Sequence, residues 1–260
     1  MTPKERERYK IWLRQANFDL RAAQLSLEGG YYEWATYQAE QAVEKSLKAC
    51  ILHSGEKPPK IHKLSVLFGY CNNLNETFKN TKFHFRYIES FAFISRYPFL
   101  IPGKESTPHD QINKQEAEKA LEEANDILKK VEGILKSEPF KATEKLPSAI
   151  SKEQLSTRLE TVRTALIQEF SPEKIIVFGS YARDPLPSKL STIDILVIAE
   201  TDMAFTERII KAREVTKGGI PSIEPLIYTS EEFKIMTSVE GESFFESALE
   251  EGRVIFEKRK

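Results

Sequence analysis

From Glu5 to Lys136 apolar residues recur at steps of three and four with almost no strict alternation, the period of amphipathic helices. Trp12, Ala16, Ala23 and Leu27 fall on one face of a first helix that stops at Gly29-Gly30, a pair suited to a left-handed C-cap. A second helix runs through YYEWATYQAEQAVEKSLKACILHSG and ends near Gly55, before Pro58-Pro59. Its polar residues Gln38, Gln41, Glu44, Lys45 and Lys48 read as solvent-facing helix formers or as contacts to a partner. KIHKLSVLFGYCNNL predicts a short third helix, and FHFRYIESFAFISRYP an aromatic fourth that must end before Pro98, because proline disfavours helical geometry in the residue before it. In the last helix of this half Asn113 and Glu116 form a capping pair. Ala117, Leu121, Ala124, Leu128, Val131 and Leu135 then make a narrow apolar seam.

SEPFKATEKLPSA has two prolines and no periodicity, so it reads as a linker, and beyond it the pattern changes. A helix with Leu155, Leu159, Val162 and Leu166 on one face precedes Pro172. The short apolar runs KIIVF, DILVIA, IEPLIY and RVIFE then predict strands, with helices around Arg208 to Val215 and after a Thr229-Ser230 cap. The expected architecture is multidomain: an all-α antiparallel bundle over residues 1–137, a linker over 138–150, and a small mixed β-sheet with flanking helices over 151–260.

Composition narrows the function more than the fold. A chain of 260 residues that is 40% hydrophobic and 30% charged is of the globular class. No apolar run crosses a bilayer and the start MTPKERERYK lacks the apolar core of a secretory signal, so the expectation is a cytoplasmic protein with no membrane partner. The formal net charge of -1 supplies no global field for a nucleic-acid backbone. Cys50 and Cys71 lie outside any metal-ligand spacing and read as buried free thiols.

Candidate chemistry concentrates in VFGSYARDPLPSKLSTIDILVIAE. A strand ending in small residues before a helix aims backbone N–H groups at a phosphate and adds the positive end of the helix dipole. Gly179 allows close backbone approach, the Ser180 hydroxyl can hydrogen-bond a phosphate oxygen, and Arg183 can set a guanidinium beside it. Asp194 heads the next strand. Nucleotidyl transfer uses two metal ions held by carboxylates, and two residues separated by one on a strand share a face. The residue sharing Asp194's face is Thr192, whose hydroxyl is a neutral metal ligand without the missing negative charge. Glu224, beside Pro225, is the candidate third acid on a later strand, the proline suggesting an edge or a bulge.

FGSYAR followed by STIDILV resembles the minimal nucleotidyltransferase motif, a branch of the DNA polymerase beta-like superfamily in which Gly-Ser precedes Asp-x-Asp and a further acid lies on a later strand. The resemblance covers most of the second half, including the terminal LEEGRVIFE. It implies Gly179 and Ser180 as the phosphate-binding pair, Asp194 and Glu224 as catalytic and metal-binding acids, magnesium as cofactor and an ATP-type triphosphate as ligand. Three departures stand out: Thr192 for the first acid, Asp184-Pro185 where a glycine commonly follows the Arg, and a longer loop. Asp184 is a candidate to swing in for the missing acid.

The first half is similar to the HEPN family of helical-bundle domains through WLRQANFDLRAAQLSLEGGYYEWATYQAEQAVEKSLKACIL, KIHKLSVL, SRYP and KQEAEKAL. That resemblance implies a homodimer or higher oligomer through the helices. Some HEPN ribonucleases use an Arg followed four to six residues later by a His; here Arg96 meets no His before His109, and His62, Arg96 and Tyr97 read as structural. Three functions follow as expectations. The first is nucleotide and Mg binding with transfer weakened or lost through Thr192. The second is an active nucleotidyltransferase modifying a protein, RNA or small-molecule hydroxyl, and the third a non-catalytic toxin-antitoxin-like module.

Overall fold

The computed structural model describes residues 7–81, 83, 85–103, 106–136, 151–183, 192–217, 221–237 and 243–258. The chain divides into two compact units, Met1–Arg96 with Pro108–Pro147 and Tyr97–Thr107 with Ser148–Lys260.

The first unit is helical: α1 Tyr9–Glu28, α2 Tyr32–His53, α3 Leu64–Leu74, α4 Glu76–Asn80, α5 Arg86–Ile94, α6 Pro108–Gln111 and α7 Lys114–Leu135. The predicted stops hold. Gly30 takes the left-handed conformation (φ 80°) just past α1, and α5 closes at Ile94, ahead of Pro98. Asn113 and Glu116 form the reciprocal capping box at the head of α7, and all six seam residues of α7 are buried. The most extensive contact is α1 on α2, where Ala16, Ala23, Ala35, Ala39 and Ala42 are all fully buried; such small side chains let helices approach closely.

One expectation about α2 is corrected. α1, α3, α5 and α7 all pack against α2 and cover much of its polar face, leaving Gln38, Gln41 and Lys45 half-buried. Glu40, Glu44 and Lys48 are buried, and the cost of burying them is met by mutual bonding. Lys48 Nζ lies 2.7 Å from Glu44 Oε1, Gln41 donates to both Glu40 and Glu44, and Lys45 pairs with Asp19 at 2.7 Å. Gln38 accepts from the Ser26 hydroxyl at 2.8 Å. Cys50 and Cys71 are free and buried, as read; Cys71 donates to the Leu47 carbonyl, and burial pushes its thiol pKa well up.

The second unit runs α8 Lys152–Phe170, β1 Lys174–Phe178, α9 Ser180–Arg183, β2 Ile193–Ile198, α10 Phe205–Val215, β3 Ile223–Tyr228, α11 Ser230–Thr237, α12 Ser243–Glu250 and β4 Arg253–Glu257. The sheet has strand order β3-β2-β1-β4, with β1 antiparallel to both neighbours and β2 parallel to β3. This is the small mixed sheet with helices that the sequence predicts. Pro225 lies on an edge strand, and β2 and β3 pair continuously past it. Gly252 lets the chain turn into β4: a Cβ there would lie 2.1 Å from the Ala248 carbonyl and 2.6 Å from Ile176 Cγ2. Tyr97–Thr107, which precedes the last bundle helix in sequence, belongs to this unit. Leu100 and Ile101 are buried, and the Leu100 carbonyl accepts from the hydroxyl of fully buried Tyr228 at 2.7 Å.

Sheet topology creates the candidate site. β1 ends at Phe178, opposite Asp194 near the start of antiparallel β2, and parallel β3 sets Glu224 opposite Asp194. Three chain segments that are remote in sequence thus meet at one end of the sheet.

Candidate functional site

Gly179 follows β1 with φ 68°, a region that L side chains rarely adopt. A Cβ on Gly179 would fall 2.3 Å from Asp194 Oδ2, so the carboxylate lies directly over the backbone of the turn. Ser180 opens α9, whose first turn is closed by bonds from the Ala182 and Arg183 N–H groups to the Gly179 carbonyl. Among the described residues α9 spans four positions, one turn of N–H groups.

Thr192 directly precedes β2, and its Oγ1 reaches Asp194 Oδ1 at 3.5 Å, so the two residues share a face as their spacing requires. Asp194 is second in the strand rather than at its head, since β2 begins at Ile193. Glu224 is its register partner on β3. Arg183 is exposed and pairs with Glu251 at 2.6 Å. Asp184, the candidate substitute acid, lies outside the described residues.

Two residues that sequence reasoning did not single out belong to the same place. Arg213 of α10 forms an ion pair with Glu224; the Arg213 side chain is 6% exposed and that of Glu224 21%. Tyr181 is buried, and its phenol pKa is pushed up to about 12 by burial and then by the Asp194 charge, so it stays protonated at neutral pH. Tyr181 was visible inside FGSYAR, next to Gly179 and Ser180. Arg213 carried no signal, because only the packing of α10 on β3 brings it to Glu224.

The described residues do not fit a pair of divalent ions. One carboxylate, Asp194, stands beside a neutral hydroxyl, and the second, Glu224, is bonded to a guanidinium. Among the described residues no group of three or more His, Cys, Asp or Glu side chains is placed to hold a metal.

In the helical unit His62, His109 and Arg96 each have a partner. His62 Nδ1 lies 3.0 Å from Glu44 Oε2, His109 Nδ1 2.9 Å from Glu33 Oε2, and the Arg96 guanidinium 5.0 Å from the centre of the Tyr37 ring. The Glu33 carboxylate raises the His109 pKa. Burial, and then the Glu44 charge, raise Glu40 to about 8. No helix among the described residues is long and apolar enough to cross a membrane.

Comparison with known proteins agrees with this two-part build. The HEPN domain family matches residues 9–134 and the Nucleotidyltransferase domain family residues 159–254. A curated protein of Methanocaldococcus jannaschii, "Putative toxin MJ1304", is 26% identical over 137 residues, spanning 49% of this chain and 88% of its own length. Among solved structures, TT1696 from Thermus thermophilus is 31% identical, covering 48% of this chain and 97% of its own, with a TM-score of 0.41. ST0689, an archaeal HEPN homologue, is 23% identical over 49% of this chain and 97% of its own, with a TM-score of 0.36. The chain consists of an N-terminal HEPN domain joined to a C-terminal nucleotidyltransferase domain.

Proposed function

We propose that the C-terminal domain binds an ATP-type nucleoside triphosphate and that its nucleotidyl transfer is weakened or lost. Gly179 and Ser180 receive the phosphates, with Arg183 beside them. Asp194 and Thr192 meet magnesium carried by the nucleotide, and Glu224 stands at the third-acid position. The observation that carries this reading is the row formed by Thr192, Asp194 and Glu224 at one end of the sheet, in which a hydroxyl takes the place of the first acid. Magnesium ATP should raise the melting temperature of the full chain, and Ser180→Ala or Asp194→Ala should abolish the shift. A shift unchanged in both variants would remove the assigned site. Label transferred from radioactive ATP to a protein, RNA or small-molecule hydroxyl, and lost in Asp194→Ala, would instead establish an active transferase.

The helical domain is read as the dimerisation half. Ile11, Phe18 and Leu25 recur every seven residues on α1 and are 67%, 46% and 69% exposed, with the Arg14 and Arg21 guanidinium groups 5.5 and 5.9 Å from the Phe18 ring. An antiparallel second copy centred on Phe18 sets Ile11 opposite Leu25 and Arg8 opposite Glu28, so apolar and charged positions are both self-complementary, as a two-fold interface requires. Phe18→Glu should convert a dimer to a monomer in light scattering. A wild-type monomer at micromolar concentration, or a dimer that survives the substitution, would exclude this face.

The Methanocaldococcus jannaschii relative carries the word toxin in its name, which favours a second reading: a toxin-antitoxin-like module without nucleotide chemistry. A stable oligomer with no nucleotide-dependent thermal shift would select it.

A further inference from the structure

We infer that Arg213 is the resident cation of the third-acid position, an ion-pair latch that keeps Glu224 from serving as a metal ligand. Its functional meaning rests on the nucleotide site proposed above, while its geometry stands on the β2–β3 register and the packing of α10.

α10 carries two buried arginines, and they do different work. Arg208 bonds both oxygens of Glu232 at 2.5 and 3.1 Å and donates to the Met203 carbonyl at 2.8 Å, which ties α10 to the start of α11 and to its own N-terminal loop. Arg213 instead points to Glu224, the register partner of Asp194, at the end of the sheet where Gly179 and Thr192 also meet. The guanidinium therefore engages the carboxylate that the strand register sets opposite Asp194 at this end of the sheet.

The charge balance explains why the arrangement is stable. Two carboxylates side by side on paired strands repel unless a cation lies with them. In a complete site metal ions supply that charge. Here a neutral hydroxyl, Thr192, stands beside Asp194, and Arg213 supplies positive charge at Glu224. A divalent ion that claimed Glu224 would leave a guanidinium buried without its carboxylate, which is strongly unfavourable. Among the described residues, metal entering the site is thus left with Asp194 and Thr192. Thr192 beside Asp194 and Arg213 on Glu224 act in the same direction, toward a site that relies on fixed protein charge.

Titration of the full chain with manganese(II), followed by electron paramagnetic resonance, tests this without requiring turnover. Wild type and the charge-balanced Arg213→Met, Glu224→Gln double variant should bind manganese with the same affinity and stoichiometry, whereas Asp194→Asn should weaken it. Arg213→Met alone should tighten manganese binding by about tenfold or add an ion, a gain that the double variant loses. A merely structural role for Arg213 predicts no gain. Weakening by about tenfold or more in the double variant, or folded Arg213→Met that binds as wild type does, would overturn the latch. Should Arg213→Met fail to fold, the comparison of the double variant with wild type decides by itself. Loss of the magnesium ATP thermal shift in wild type would refute the nucleotide reading and leave the manganese comparison intact.

Discussion

Glu40 in the bundle and Glu224 in the sheet are the same residue type, both withdrawn from water, and their surroundings drive them apart. Glu40 is 2% exposed and faces another carboxylate, Glu44, with a neutral Gln41 amide as its hydrogen-bond donor, so it holds its proton up to about 8. Glu224 faces the Arg213 guanidinium. In the bundle the buried cation Lys48 pairs with the neighbouring Glu44, whereas the sheet domain brings a cation to Glu224 itself. What a buried acid does is set by the partner that the fold delivers, and burial alone decides little.

The largest effect should come from breaking the buried pair in the bundle. Glu44→Ala leaves Lys48 without its carboxylate and His62 without its acceptor, and should cost roughly 3 kcal/mol in urea unfolding, as buried pairs do when one partner is removed. Gly179→Ala comes next. It forces a left-handed φ on alanine and drives a methyl into the Asp194 carboxylate, for about 2 kcal/mol and loss of the nucleotide-induced shift.

Glu40→Gln sharpens the comparison by reversing the usual sign. The folded pKa is raised above the ordinary 4.5, so its stabilising contribution is complete below pH 4.5 and is lost as pH rises through about 8. The glutamine variant, which mimics the neutral acid, should melt roughly 4 °C higher than wild type at pH 8.5 and equally at pH 4.5. A variant less stable at both pH values would mean that Glu40 is charged in the fold. The smallest effect belongs to Arg183→Ala. Its pair with Glu251 is exposed, so stability should change by less than about 0.5 kcal/mol while the nucleotide response weakens, which separates a ligand-facing arginine from a structural one.

Elements with their own local signals were legible. KIIVF, IEPLIY and RVIFE coincide with β1, β3 and β4, because short apolar runs bounded by Gly, Pro or charged residues have few alternatives. The Asn113–Glu116 box and the Gly30 stop follow from hydrogen-bond and φ requirements carried by single residues. The polar face of α2 was misread because helical period reports which residues share a face and says nothing of how many neighbours cover it. The pairing of Thr192 with Asp194 was readable from a spacing of two. That Asp194 faces Glu224 depends on a parallel register between strands far apart in sequence.

The amino-acid sequence by itself determined the local elements, the change of period that separates the two kinds of structure, and the hydroxyl of Thr192 as the neighbour on Asp194's face, since each depends on residues within one or two turns or strands. Tertiary structure alone decided that Tyr97–Thr107 joins the sheet domain, that Glu44 and Lys48 lie inside the bundle, and that Arg213 reaches Glu224. Those outcomes are long-range encounters between side chains, and the energy of a charge depends on what the fold sets beside it.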